Sequence, residues 1–242
     1  INLLAKYLIM KGYIKCLLIL TFVSCTNDIG KNLTISGSIK GLRKGKLYLQ
    51  KFTNDTILVN IDSLEVEGLE NFEFNDSLGE AQFYYLALKK DETDTTIQKI
   101  PFFAEKGDIK INTRLNTFLS SAKVEGSENQ ILWDEYLMVM RKFNNQNIEL
   151  VKDYLEKKGE FDSKKRDELF EKKNSLINRK KALFSLNFAM NNSDKEISAY
   201  IGLYELNNIS KKYLDSLYSK LNNEIKYSFY GKKLKKKLES FI

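Results

Sequence analysis

The stretch Thr56-Ile-Leu-Val-Asn-Ile-Asp-Ser-Leu-Glu-Val66, the turn at Gly68, and Asn71-Phe-Glu-Phe-Asn75 decide how the first half of the chain reads. Ile57, Val59 and Ile61, then Phe72 and Phe74, alternate with polar neighbours, the two-residue period of strands buried on one face. Working outward, similar short runs recur at Leu33–Ile39, Lys46–Phe52, Phe83–Leu88, Ile100–Ala104, Asp108–Asn112 and Leu119–Val124. Turn signals separate them: Gly41 and Gly45, Asn54-Asp55, Asp76 with Gly79, Lys90–Asp94, and Gly107-Asp108. Pro101, the single proline, opens one run, where a missing N–H is tolerated. Even spacing without an intervening helical pattern predicts an antiparallel β-sandwich or open barrel over residues 33–127.

The pattern changes at Ser127-Glu-Asn-Gln130, a capping-box sequence followed by Ile131, Leu132, Tyr136, Met140 and Phe143 at helical spacing. Ile148, Val151 and Leu155 extend that stripe towards Gly159. Leu169/Leu176/Leu183 and Phe170/Ile177/Phe184 then repeat every seven residues with charges between them, which predicts an amphipathic helix packed in a hairpin. Ser193-Asp-Lys-Glu196 reads as a second capping box, ahead of Ile197, Tyr200, Ile201 and Tyr204. Ser210 precedes Leu214, Leu217 and Leu221, and a last segment carries Leu234, Leu238 and Ile242. Residues 128–242 are therefore expected to form a helical domain, and the whole chain an α+β protein. Trp133 is expected to pack on the sheet, as large aromatics more often fill cores than line grooves.

Composition removes whole classes of chemistry. Among 242 residues there is no His, which excludes His-dependent dyads and triads and the commonest zinc sites. Two Cys cannot build a cysteine-rich metal site or a multi-bridge scaffold. No phosphate-binding, dinucleotide, serine-hydrolase or zinc-protease motif occurs. Asp91-Glu92/Asp94 and Glu65/Glu67 lack the loop spacing of a calcium site and read as solvated loops. No catalytic residue, cofactor site or metal site is expected. The net charge of +7 falls in the helical half, much of it in Lys232, Lys233, Lys235, Lys236 and Lys237. Such a cluster suits phosphates or anionic headgroups, but more often it is a solvated helix face. No nucleic-acid partner is expected, since basic and aromatic residues are not interleaved.

The N-terminus reads as an address. Lys11 and Lys15 follow Met10, then comes the uncharged run Cys16-Leu-Leu-Ile-Leu-Thr-Phe-Val-Ser-Cys25. This has the layout of a secretory signal peptide over residues 1–24, with a start at Met10. The run is too short for a membrane span. Phe22-Val23-Ser24-Cys25 resembles a bacterial lipobox, with Phe22 in place of the usual Leu. That resemblance implies a lipidated Cys25, a polar tether over residues 25–32 and a membrane-anchored location in the cell envelope, facing the periplasm or the cell surface. With Cys16 removed and Cys25 acylated, the mature body has no free thiol and no disulfide. The Asp-Ser/Thr-hydrophobic triplets resemble an O-glycosylation sequon, which makes Thr56, Ser63, Ser77, Thr95 and Ser216 candidate modification sites, though Asp-Ser is also ordinary turn chemistry.

Several segments follow in an order that resembles a known family: Leu33–Leu42, Lys46-Leu-Tyr-Leu49, Asp62-Ser63 with Val66-Glu-Gly68, Phe103-Ala-Glu-Lys-Gly107-Asp-Ile109 and Val124-Glu-Gly-Ser-Glu-Asn129. The chain is similar to the domain of unknown function (4369) that precedes the thioredoxin-like domain in many Bacteroidetes envelope lipoproteins. The segment Ser193–Leu238, with Tyr227-Ser-Phe-Tyr-Gly231, looks like the stretch leading into that catalytic domain. The family's thiol:disulfide exchange needs a Cys-x-x-Cys pair, and none occurs here. The resemblance thus implies a non-enzymatic accessory or binding module. Its partners would be the membrane, through Cys25, and an envelope protein such as a separate thioredoxin-like oxidoreductase. The alternatives are a remnant of an oxidoreductase without its catalytic domain and a hydrolase using carboxylates alone.

Overall fold

A computed structural model describes residues 30–53, 56–91, 97–157 and 162–241. The segment read as a signal peptide, Cys25 and Thr95 lie outside the described residues. The chain divides into a unit ending at Lys31 and a unit from Asn32 to Ile242, and the architecture that follows is that of the second.

Among the described residues eight strands come first: β1 (Leu33–Lys40), β2 (Lys44–Thr53), β3 (Ile57–Glu67), β4 (Asn71–Asp76), β5 (Gln82–Lys89), β6 (Gln98–Ala104), β7 (Gly107–Arg114) and β8 (Lys123–Glu125). They form two four-stranded sheets, ordered β4-β1-β7-β8 and β3-β2-β5-β6. All neighbours are antiparallel except β1 and β7, which run parallel. The sheets close on one core. Ile35, Ile39, Phe74, Ile109 and Ile111 from the first face Leu47, Leu49, Leu86, Ile100 and Phe102 from the second. Gly37 marks the closest approach, since a Cβ there would sit 1.8 Å from the Ile111 carbonyl oxygen on the parallel neighbour.

The α+β order and the sandwich follow the sequence, but two strands depart from it. In β3 the partner of Leu49 is Asp62 and that of Gln50 is Asn60, so Ile61 is an extra, bulged residue. A bulge exchanges which alternate set faces inward. Val66 is buried and Leu64 packs on the core, whereas Ile57 is 57% exposed. Ile61 packs on the core as its alternation predicts, the even-numbered Leu64 and Val66 take over beyond the bulge, and Ile57 at the strand's start stays open to solvent. The run Leu119–Val124 yields only the short β8, preceded by a 3-10 turn at Leu115–Thr117.

The helices are α1 (Glu128–Glu156), α2 (Ser163–Asn191), α3 (Glu196–Tyr204), α4 (Lys211–Lys220), α5 (Asn223–Lys226) and α6 (Phe229–Glu239). The Ser127 hydroxyl accepts the Gln130 N–H at 3.0 Å, which forms half of the expected capping box. The second box does not form. The residue before α3 is Lys195, no side chain caps it, and Glu196 is turned into the interior. α1 and α2 make the hairpin, with Tyr154 on Phe170 at 4.9 Å and Tyr136 on Phe184 at 6.1 Å between ring centres. Among the described residues no helix is long and apolar enough to cross a membrane.

Candidate functional site: an aromatic cleft over the second sheet

β5 is buried on both faces, and this positions the site. Tyr84, Leu86 and Leu88 point into the sandwich, while Phe83 joins a second core shared with the helices. On β6 Phe102 belongs to the first core and Phe103 to the second. Trp133 of α1 packs edge-on to Phe83 at 5.3 Å and to Tyr200 of α3 at 5.4 Å, so the predicted contact between Trp133 and the sheet is present. Tyr230 of α6 completes the cluster, 5.1 Å from Tyr200 and 6.1 Å from Phe103.

Helical side chains also satisfy backbone groups that the sheet leaves unpaired. The Phe83 N–H lies beyond the last residue paired with β2 and donates to the Tyr230 hydroxyl at 2.9 Å. β6 is an edge strand, and its Phe103 N–H donates to Gln130 Oε1 at 2.8 Å. A buried unpaired amide is costly, so these two bonds fix where the helices meet the sheet.

Where that junction opens to solvent, a cleft of about 220 Å³ is lined by Phe52, Gln82, Phe83, Tyr85, Tyr200, Tyr204, Phe229 and Tyr230. Seven of these residues are aromatic and none is charged. Burial raises the hydroxyl pKa of Tyr85, and that of Tyr200 and Tyr230 far more, so all three stay protonated at neutral pH. Such a lining offers ring faces with a few hydroxyl and amide groups at their edges. It suits binding a flat or apolar group, and it holds no base or nucleophile. Lys233 places its ammonium 3.9 Å from the Phe229 ring centre, so one face at this margin already holds a cation.

A polar seam runs along the same junction. Glu105 accepts the Glu128 N–H at 2.7 Å at the start of α1, and its other oxygen accepts from Asn129. Asn129 Oδ1 accepts the Ile197 N–H at 2.7 Å. Glu128 pairs with Lys195, and Glu80 with Lys232 at 3.0 Å. Glu196 accepts the Tyr230 N–H at 2.7 Å at the first turn of α6. Burial pushes its carboxyl up to about 7, against the opposing pull of hydrogen bonds from Ser228 and the Tyr230 N–H.

The structure places the remaining candidates apart from the cleft. Thr56, Ser63, Ser77 and Ser216 are exposed on separate elements. Of the Lys-rich end, Lys232 is paired with Glu80, Lys235 lies 4.0 Å from Glu239, and Lys237 donates to the Leu203 carbonyl and to Asn207. Glu65 is 3.2 Å from Lys46, and among the described residues no group of three or more acids or cysteines is arranged to hold a metal. The cleft itself was not legible in the sequence. Its only signal was the aromatic abundance, which gives no hint that Tyr85 and Tyr200 meet.

No curated protein matches the chain. Residues 33–133 match the family described as "Domain of unknown function (DUF4369)", so the matched span runs from the first residue of β1 to Trp133, where α1 touches the sheet. The helical wall of the cleft lies outside that span. Over that span the chain is similar to this family, and the β-sandwich and first helical turns so matched are the platform on which the aromatic cleft is built.

Proposed function

We propose that this chain is a non-enzymatic binding module of the bacterial cell envelope, anchored by lipid on Cys25, which engages its partner through the aromatic cleft. The cleft carries this reading: seven aromatic side chains from two parts of the chain converge on one small, uncharged, open cavity. Cores bury their rings, whereas an open concave cluster of rings is the usual form of a recognition site. The seam's carboxylates are taken up by helix N-termini and lysines, which weighs against a hydrolase built on carboxylates alone. An accessory role beside a thioredoxin-like oxidoreductase accords with the family resemblance and with the absence of Cys-x-x-Cys.

Site-specific photocrosslinking in cells tests the cleft. A benzophenone amino acid at Tyr204 or Phe52, on the exposed rim, is expected to give a discrete adduct to an envelope protein. The same probe at Ser216 serves as the control. Adducts of equal yield at all three positions, or none at the rim, would overturn the assignment. The anchor is tested separately: Cys25→Ala is expected to abolish acyl labelling and release the chain from membranes, and unchanged labelling would refute it.

A further inference from the structure

Helix α2 carries a threefold repeat that neither the cleft nor the family match uses. Lys165-Arg166, Lys172-Lys173 and Arg179-Lys180 are each followed three residues later by Leu169, Leu176 or Leu183 and then by Phe170, Ile177 or Phe184. Seven residues are close to two helical turns, so each set falls into line along the rod. The phenylalanine and isoleucine line turns towards α1, where Phe170 meets Tyr154, and Phe184 meets Tyr136 and Phe143.

The leucine line does not turn inward. Leu169, Leu176 and Leu183 are 42%, 52% and 42% exposed. Lys172, Arg179 and Lys180 are exposed between them, at the three- and four-residue offsets that share a helix face, while Lys173 on the same face is paired with Asp153 of α1 at 3.5 Å. The helix holds eight basic and three acidic side chains. The acids, Asp167, Glu168 and Glu171, lie about 100° or more round the helix from Leu169. Single leucines flanked by cations, with the helix's own acids displaced to the other side, give a cationic face suited to anionic headgroups.

We propose that this face of α2 binds an anionic phospholipid surface. Charge complementarity and the shape of the face select that occupant. A partner helix would need two apolar positions per seven residues to form a seam. On α2 one of those two is already packed against α1, which leaves a single leucine line on a convex rod. A bilayer surface needs no groove: cations meet the headgroups, and sparse leucines enter the boundary between headgroup and acyl chain. A second copy of the chain would set α2 cations against α2 cations. The Lys-rich end of α6 lacks this arrangement, because its leucines, Leu234 and Leu238, are buried and leave no apolar line between the lysines.

The test is vesicle partitioning of residues 32–242, the unit that contains both hydrophobic cores entirely and lacks the apolar N-terminal run. Vesicles of phosphatidylcholine with phosphatidylglycerol are compared with phosphatidylcholine alone, at low and high salt. Wild type is expected to bind the anionic vesicles and to release as salt rises. The triple variant Lys172→Gln/Arg179→Gln/Lys180→Gln should bind about a hundredfold more weakly, and Leu176→Asn about tenfold. A charge-matched control, Lys220→Gln/Lys235→Gln/Lys236→Gln, should change partitioning by less than about threefold. All the substituted side chains are exposed, and unchanged ellipticity and Trp133 emission verify the fold. Equal partitioning to both vesicle types, or equal loss in the two triple variants, would overturn the proposal. So would a wild-type chain that ignores vesicles but binds a synthetic helix of leucines flanked by glutamates.

Discussion

Phe102 and Phe103 are adjacent on β6, both fully buried, and belong to different cores. Phe102 lies between the two sheets in a mostly aliphatic core supplied by strands close in sequence, with Tyr84 edge-on at 6.1 Å. Phe103 lies under the helices in a cluster of rings, with Phe83, Tyr200 and Tyr230 drawn from across the chain. The sandwich core follows from local alternation, a property each strand shows by itself. The ring core exists only once α1, α3 and α6 are laid on the outer face of β5 and β6. The aromatic cleft opens at the edge of this second core.

Truncating either phenylalanine sharpens the contrast. Phe102→Ala and Phe103→Ala should each destabilise by about 3–5 kcal/mol, the usual loss for a buried ring, measured by urea unfolding. The two variants should differ in their native-state emission. Trp133, the single tryptophan, touches the ring core through Phe83 and Tyr200, so Phe103→Ala should shift its emission while Phe102→Ala leaves it unchanged. Equal emission changes would mean that the two cores respond as one.

The same contrast explains what was readable beforehand. Phe72/Phe74 and Ile109/Ile111 are buried as their alternation predicts. β5 is more ambiguous, because Phe83-Tyr-Tyr-Leu-Ala-Leu88 is apolar on both faces and a continuous run does not say what covers its second face. The β3 bulge left no mark beyond an extra residue in an alternating run. Ser193-Asp-Lys-Glu196 misled for a physical reason. Glu196 is drawn away from its own helix start to cap α6, thirty-odd residues on, and no local motif encodes that pull. The cleft depends on Tyr85, Tyr200 and Tyr204 meeting across the fold, which spacing alone does not reveal.

The ring core also buries an ionisable group. Glu196 is folded into the seam with its carboxyl pushed up to about 7, against an ordinary value of 4.5. Because the folded state holds this proton more tightly than the unfolded chain, stability falls as pH rises from about 4.5 and levels off above about 7. The shift corresponds to about 3 kcal/mol. Glu196→Gln keeps an acceptor for the Tyr230 N–H and removes the ionisation. It should therefore stabilise the protein by up to that amount at pH 8 and by little at pH 4.5. Parallel stability curves for the two proteins across this range would exclude Glu196 as the titrating group.

A smaller effect is expected where a helix completes the sheet. Tyr230→Phe keeps the ring and deletes the oxygen that accepts the Phe83 N–H, so a buried amide loses its partner. The expected cost is about 1–3 kcal/mol, with faster hydrogen exchange at Phe83. The comparable change in the sandwich, Tyr84→Phe, removes a hydroxyl that donates to Asp76 at 2.6 Å beside Lys51. That carboxylate is partly open to water and keeps Lys51, so Tyr84→Phe should cost less. The reverse order would mean that the sandwich end, and not the helix junction, is the more tightly determined of the two.

The weakest link between the regions is Lys232 on Glu80, a bond between α6 and the loop ahead of β5 with both side chains largely in water. Lys232→Met should change stability by less than about 1 kcal/mol, and that difference should vanish at high salt. Its second consequence is more specific. Lys232 lowers the pKa of Glu196, and Glu80 raises it. Removing the ammonium leaves the repulsion from Glu80 unopposed, so the Glu196 carboxyl should titrate higher still. The pH at which the Glu196 contribution to stability is lost should rise in Lys232→Met and return towards the wild-type value in Lys232→Met/Glu80→Gln. A midpoint that ignores both substitutions would mean that the seam's surface charges do not reach the buried carboxyl, and that the ring core alone sets its protonation.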